Sequence, residues 1–242
     1  MWDHVTLRAS DLRASVRFYD TVLATLGVER THTADWLVEW DHFSLSPARA
    51  EKPVTRGLHI GFTAPTRERV DAFWHAGVDA GYRDDGEPGL RPEYGPDYYG
   101  GFLLDPDGNS AEAVHHDLAG ERGVIDHLWI RVADIPASRA FYLTIAADAG
   151  LSLRTDEPER VQLVGEGGSF SLVAGTPTEG LHMAFPAADR AGVDEFHRTA
   201  TDAGYRDNGP PGERPEYHSG YYGAFVLDPD GNNVEVVHHD RS

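Results

Sequence analysis

The chain has 242 residues, no cysteine and a formal net charge of -19. Without cysteine there are no disulfides, thiolate nucleophiles or thiolate metal ligands, so any metal site must be built from His, Asp and Glu. The acidic balance disfavours nucleic acid and anionic membrane surfaces as partners, because the field of the chain repels phosphate.

The start, MWDHVTLRAS, has neither a basic leader nor an apolar signal core, and no apolar run approaches the roughly 18 residues a membrane-spanning helix needs, so a cytoplasmic location is expected. HVTLRA alternates polar and apolar residues and is expected to be a half-buried strand. Asp11 follows as a helix cap, ahead of a helix carrying Tyr19, Val22, Leu23 and Leu26 on one face and closed by Gly27. WLVEW and HFSLS are short strand candidates. LHIGFTA begins the same order again, with a helix from about Thr66 to Ala80, then strands YYGGFLL and SAEAVHH. These last two are joined by DPDGN, a turn in which Pro106 suits the first central position and Gly108 supplies the positive φ after it. Lys52 is the only lysine, which argues against Schiff-base chemistry.

The order then repeats. YYGGFLLDPDGNSAEAVHHD, from Tyr98, and YYGAFVLDPDGNNVEVVHHD, from Tyr221, agree at 15 of 20 positions, 123 residues apart. DHVTLRA (from Asp3) matches DHLWIRV (from Asp126) and GLHIGF (from Gly57) matches GLHMAF (from Gly180) at that same offset. The expected domains are therefore 1–116 and 125–242, joined by a polar linker at 117–124, and each half reads as strand, helix and three strands, twice over.

Strand alternation then sorts the faces. Leu58, Ile60 and Phe62 fall on one face, with His59 and Gly61 on the other. Val5 and Leu7 point outward, with His4, Thr6 and Arg8 inward, and Glu112 shares its face with Ser110 and Val114. Each half can thus aim two imidazoles and one carboxylate from three strands into the concave side of a curved sheet: His4, His59 and Glu112, then His127, His182 and Glu235. Such a set is a facial triad for a divalent first-row metal with open positions for substrate. Asp3 and Asp126 are expected to face away from the metal, and His116 and His239, on the order of 13 Å along the strand from their glutamates, to sit at the rim.

On these residues the chain resembles the vicinal oxygen chelate superfamily, which includes glyoxalase I, type I extradiol dioxygenases, fosfomycin-modifying thiol transferases and bleomycin-resistance proteins. The resemblance implies an α+β fold of four βαβββ modules in cupped mixed sheets. It implies ligands on the first, fifth and eighth strands, here the same six residues, and a divalent ion such as Fe2+, Mn2+, Zn2+, Ni2+ or Co2+. Whether each triad closes within its half or borrows its first-strand histidine from the other is open. The implied partner is a small molecule with vicinal oxygens, handled by a dioxygenase-like or glyoxalase-like enzyme. Metal-free drug sequestration of the bleomycin-resistance type is the alternative, and the chain would be a monomer, a pseudo-dimer of repeats, or a homodimer.

The chain departs from the family in two places. The tyrosine that commonly precedes the metal glutamate by ten residues is replaced by Phe102 and Phe225, and the second glutamate of glyoxalase I has no counterpart on the first-quarter strands except Glu39. Tyr98, Tyr99, Tyr221, Tyr222 and His218 are the candidate catalytic groups. Thr6, Arg8, Trp129, Arg131, Phe102 and Phe225 are the candidate pocket residues, with Arg91, Tyr94, Arg214 and Tyr217 at the rim. Grouped by half, Thr6 and Gly61 make the first site roomier than the second, which carries Trp129 and Ala184.

Overall fold

The structure, a computed structural model, describes residues 1–117 and 123–240. Most of the expected linker, residues 118–122, lies outside them. Four modules of one strand, one helix and three strands follow in chain order. The first comprises β1 (His4–Ala9), α1 (Leu12–Leu23, continued by a 3-10 turn over Ala24–Leu26), β2 (His32–Ala34), β3 (Leu37–Trp40) and β4 (Phe43–Pro47). The second comprises β5 (Leu58–Thr63), α2 (Arg67–Asp79), β6 (Arg83–Leu90), β7 (Tyr99–Leu104) and β8 (Ser110–His115). The third comprises β9 (Ile125–Val132), α3 (Ile135–Thr144), β10 (Ser152–Glu157), β11 (Arg160–Gly165) and β12 (Gly168–Ala174). The fourth comprises β13 (His182–Pro186), α4 (Arg190–Asp202), β14 (Arg206–Glu213), β15 (Tyr221–Leu227) and β16 (Asn233–His239). The α+β architecture expected from the sequence is borne out.

Each helix begins on a side chain that accepts a backbone N–H three residues on: Asp11 from Ala14, Thr66 from Arg69, Asp134 from Ala137 and Asp189 from Gly192. The strands form two eight-stranded mixed sheets, ordered β14-β15-β16-β13-β1-β4-β3-β2 and β10-β11-β12-β9-β5-β8-β7-β6. Strands β6 and β14 had no strand signal in the sequence because RDDGEPGL and RDNGPPGE are rich in Gly and Pro. Both are edge strands with irregular register, where a missing N–H or a bulge is tolerated.

Two compact units result, one of Met1–Val5 with Ile130–Ser242 and one of Thr6–Trp129, so the division falls within β1 and β9. In the Thr6–Trp129 unit, Tyr19 of α1 packs on Phe43, and Phe43 edge-on against Phe62, with ring centroids 4.6 and 5.1 Å apart. In the other unit, Tyr142 of α3 packs on Phe170 at 4.9 Å, and Trp2 on Phe185 at 5.2 Å. No helix among the described residues is long and apolar enough to cross a membrane.

The repeated DPDGN turn does more than reverse the chain. Gly108 and Gly231 take φ of 86° and 87°, as the turn requires. Asp105 Oδ1 accepts the N–H groups of Asp107 and Asn109, and its other oxygen accepts the Tyr19 hydroxyl. Asn109 then accepts the Leu58 N–H and donates to the Thr55 carbonyl, tying the start of β8 to the start of β5. Asp228, Tyr142, Asn232, Leu181 and Thr178 repeat the network in the other unit. Burial raises the Asp105 and Asp228 carboxyls, while the Asn109 and Asn232 contacts pull them back down.

Asn232 is fully buried, so Asn232→Leu removes the acceptor of the Leu181 N–H and a donor to the Thr178 carbonyl. It should lower unfolding free energy by about 2–4 kcal/mol in a urea titration. A loss under about 1 kcal/mol would mean that the network carries little of the fold's stability.

Candidate metal centres

Parallel pairing fixes the geometry of the site. β5 runs beside β8 with His59 opposite Ser110 and Gly61 opposite Glu112, and β13 runs beside β16 with His182 opposite Asn233 and Ala184 opposite Glu235. A histidine and a glutamate therefore share one face of each pair. The third donor comes from a first strand, and the structure answers the open question of which one. His127 joins His59 and Glu112, and His4 joins His182 and Glu235. The grouping by half does not hold, because the sheet order lays β9 beside β5 and β1 beside β13. The Asp3 N–H donates to the Ala184 carbonyl at 2.9 Å, fixing the entry to β1.

Within the first cluster, His59 Nε2 lies 3.0 Å from Glu112 Oε2 and 3.1 Å from His127 Nε2, and His127 Nε2 lies 3.2 Å from Glu112 Oε2. Within the second, His182 Nε2 lies 3.1 Å from Glu235 Oε2 and 3.0 Å from His4 Nε2, while His4 Nε2 stands 3.7 Å from Glu235 Oε2. Three lone-pair donors converge on one point in each.

The outer nitrogens are occupied. His127 Nδ1 is 2.8 Å from Asp126 Oδ1, and Asp126 Oδ2 is 2.8 Å from His116 Nε2. His4 Nδ1 is 2.8 Å from Asp3 Oδ1, and Asp3 Oδ2 is 2.9 Å from His239 Nε2. His59 Nδ1 meets Ser110 Oγ at 3.1 Å, and the Asn233 amide lies 2.6 Å from His182 Nδ1. A carboxylate on Nδ1 holds a ring proton there, so that Nε2 can turn a lone pair inward once it gives up its own proton. Asp3 and Asp126, expected to face away, are thus partners of the first-strand histidines. Alternation sets where Cβ points, and a carboxylate can still reach its neighbour's ring. The adjacent Asp-His pair, twice repeated, was the sequence signal.

Among the tyrosines, Tyr98 donates to Glu112 Oε1 at 2.8 Å and Tyr221 to Glu235 Oε1 at 2.6 Å. Gly100, between Tyr98 and Phe102, leaves room for the carboxylate there, since a Cβ on it would strike Glu112 Oε1. Tyr99 and Tyr222 do not reach the clusters. As strand neighbours of Tyr98 and Tyr221 they face the other side, where they donate to Asp71 and Asp194. His218 is exposed and its Nε2 lies 2.9 Å from His239 Nδ1, so it meets the second cluster only through His239 and Asp3.

Phe102 lies 6.0 Å from the His59 ring and Phe225 6.3 Å from His182, each with an arginine over it, Arg91 and Arg214. Trp129 stands edge-on to His59 at 6.2 Å and to Tyr94 at 5.6 Å, so it belongs with Glu112 and Gly61 instead of with Glu235. The volume comparison by half fails for the same reason as the grouping of ligands. The Thr6 hydroxyl is 2.8 Å from Ser44 Oγ, Arg8 is buried with its N–H on Thr55 Oγ1, and Arg131 is exposed with its N–H on Thr178 Oγ1.

Burial alone would raise the Glu112 carboxyl, but hydrogen bonds from His127 and His59 outweigh it and hold it at about 2. Burial would lower His127, yet its bonds to Asp126 and Glu112 raise it to about 9. Burial lowers His59 more than Glu112 raises it. Asp3 is held below the usual carboxylate range, since hydrogen bonds from His239 and His4 outweigh its burial. Burial, with Glu112 and Glu235 beside them, pushes the Tyr98 and Tyr221 hydroxyls far up, so both stay protonated donors.

A model of the Glyoxalase/Bleomycin resistance protein/Dioxygenase superfamily matches residues 2–113 and 124–236. A search of curated protein sequences finds no match. Among solved structures, the chain is similar to glyoxalase I from Zea mays, at 18% identity and a TM-score of 0.69 over 98% of this chain and 92% of that one. It is also similar to a "putative dioxygenase" from Bacillus subtilis, at 16% identity and a TM-score of 0.67 over 100% of this chain and 86% of that one. At these identities the likeness shows the fold.

The Glu112–His127 pair sets a pH window in chelator-treated protein. Glu112, depressed from 4.5, stabilises the fold above pH 4.5 and loses that contribution as pH falls toward about 2. His127, raised from 6.5, contributes below pH 6.5 and loses it as pH rises through about 9. The stability difference between wild type and Glu112→Gln, followed by urea midpoints, should therefore be largest between pH 4.5 and 6.5 and shrink toward pH 9. A difference that grows from pH 6.5 to 9 would contradict the pairing.

Proposed function

Because the chain belongs to the Glyoxalase/Bleomycin resistance protein/Dioxygenase superfamily, we propose that it is a divalent-metal-dependent enzyme acting on a small molecule with two neighbouring oxygens. The observation that carries this reading is the convergence of His59 Nε2, His127 Nε2 and Glu112 Oε2 at 3.0 to 3.2 Å from one another. Donors bound at about 2.1 Å and at right angles are separated by about 3 Å, so the set fits one face of an octahedral first-row ion. His4, His182 and Glu235 offer the same donor types.

A divalent ion held by either set would act as a Lewis acid toward the paired oxygens of a diol, enediolate or hydroxy-carbonyl and stabilise the negative charge that develops on them. The protein groups around the first set have separate tasks. Tyr98 holds Oε1 of Glu112, so that this carboxylate offers only Oε2 to the centre and leaves further positions open. Asp126 fixes the His127 ring and raises its basicity. Trp129 and Phe102 supply flat apolar surface beside His59, extended by Tyr94 against Trp129, suited to covering a planar substrate and excluding water.

Within this reading, dioxygenase-like chemistry on Fe(II) is favoured over glyoxalase-like isomerisation. Each cluster found among the described residues has two histidines and a single carboxylate, the facial triad of non-haem oxygenases, and no second carboxylate stands in it to act as base.

Two tests follow. Protein purified without chelators should carry bound divalent metal, and the Glu112→Ala/Glu235→Ala double variant should carry none. Full occupancy in the double variant would sink the assignment. Tyr98→Phe, which frees the second carboxylate oxygen, should weaken metal binding at that cluster by about 10- to 100-fold while leaving the far-ultraviolet circular dichroism unchanged. Unchanged affinity would remove Tyr98 from the account.

A further inference from the structure

The two clusters use the same donor types, yet one of their three separations differs. His4 Nε2 stands 3.7 Å from Glu235 Oε2 where His127 Nε2 stands 3.2 Å from Glu112 Oε2, while the separations that do not combine the first-strand histidine with the carboxylate are matched at 3.0 to 3.1 Å. The first-strand histidine has thus moved relative to the glutamate. Its side chain is also more open to solvent, at 22% exposure for His4 against 8% for His127.

The residue opposite each glutamate supplies a cause. Gly61 lies across from Glu112, and a Cβ built on it would fall 2.6 Å from His127 Nδ1, 2.9 Å from Nε2, and closer still to Cε1. The His127 ring therefore rests directly on the Gly61 backbone, in space that no side chain could share. At the matching position across from Glu235 the chain has Ala184, fully buried, whose methyl group stands where a ring placed like that of His127 would lie. His4 cannot close on Glu235 without displacing that methyl or the sheet beneath it.

Resting on the metal reading above, we infer that the Gly61/Ala184 difference makes the two sites unequal: His59, Glu112 and His127 form the tight centre, and His4, His182 and Glu235 a weaker one. A facial set needs separations of about 3 Å on all three sides, and the second cluster reaches this only by overpacking a filled position. The expected penalty is about 10- to 100-fold in affinity.

The test is Co2+ titration of the chelator-stripped full chain, followed by visible absorption and by equilibrium dialysis. Wild type should take up two ions in separate steps, with Glu112→Ala losing the tight step and Glu235→Ala the weak one. Ala184→Gly should draw the weak step toward the tight one, and Gly61→Ala should weaken the tight step by about 10- to 100-fold. Circular dichroism on both variants establishes that the fold is kept, and Ala184→Gly alone decides the matter if Gly61→Ala fails to fold. Equal steps in wild type, loss of the tight step in Glu235→Ala, or an Ala184→Gly variant whose weak step is unmoved would overturn the inference while leaving the metal reading intact. No uptake by wild type would overturn both.

Discussion

The register of two parallel strand pairs is the constraint on which the remaining structure of the sites depends. β5 beside β8 and β13 beside β16 place a histidine and a glutamate on one face, two residues out of step. A slip of one residue would turn one member of each pair into the core and leave a carboxylate buried among apolar side chains. The buried asparagines of the DPDGN turns oppose that slip. Asn109 and Asn232 bond directly to Leu58 and Leu181, immediately before His59 and His182. The turn motif and the histidine–glutamate pairs are parts of one device, which accounts for their appearing together in both repeats.

Burying a glutamate beside two histidines costs desolvation, and the surrounding groups show how the cost is met. Glu112 accepts from Tyr98 on one oxygen and faces His59 and His127 with the other, so each carboxylate oxygen has a polar partner. His127 spreads its charge between Glu112 and Asp126, and Asp126 passes on to His116 near the surface. The same chain of contacts runs from Glu235 through His4 and Asp3 to His239. Ring orientation is thereby fixed from outside the cluster.

The modules, the Asp11 helix cap and the faces of β1, β5 and β8 were legible in the sequence because each rests on local alternation or on a side chain three residues from its partner. The pairing of first strands was not. Nothing local to His4 or His127 says which glutamate it meets, since that depends on strands far apart in the chain lying side by side. Residue contents assigned by half moved with it, so Trp129 and Gly61 came to share a cluster. Position 102 carries no phenol, and the hydroxyl that reaches Glu112 comes from Tyr98, across Gly100; only the pairing of β7 with β8 makes that reach visible. Edge strands β6 and β14 were hidden by their prolines, which an edge tolerates and an interior strand does not.

Each cluster takes its first-strand histidine from the other repeat. Anomalous diffraction at the absorption edge of the bound metal, on crystals of protein purified without chelators, is the decisive measurement of that pairing. A peak is expected at His59, Glu112 and His127 and a second, of lower occupancy, at His4, His182 and Glu235. A peak bounded by His4 together with His59 and Glu112, or peaks at neither cluster, would contradict it.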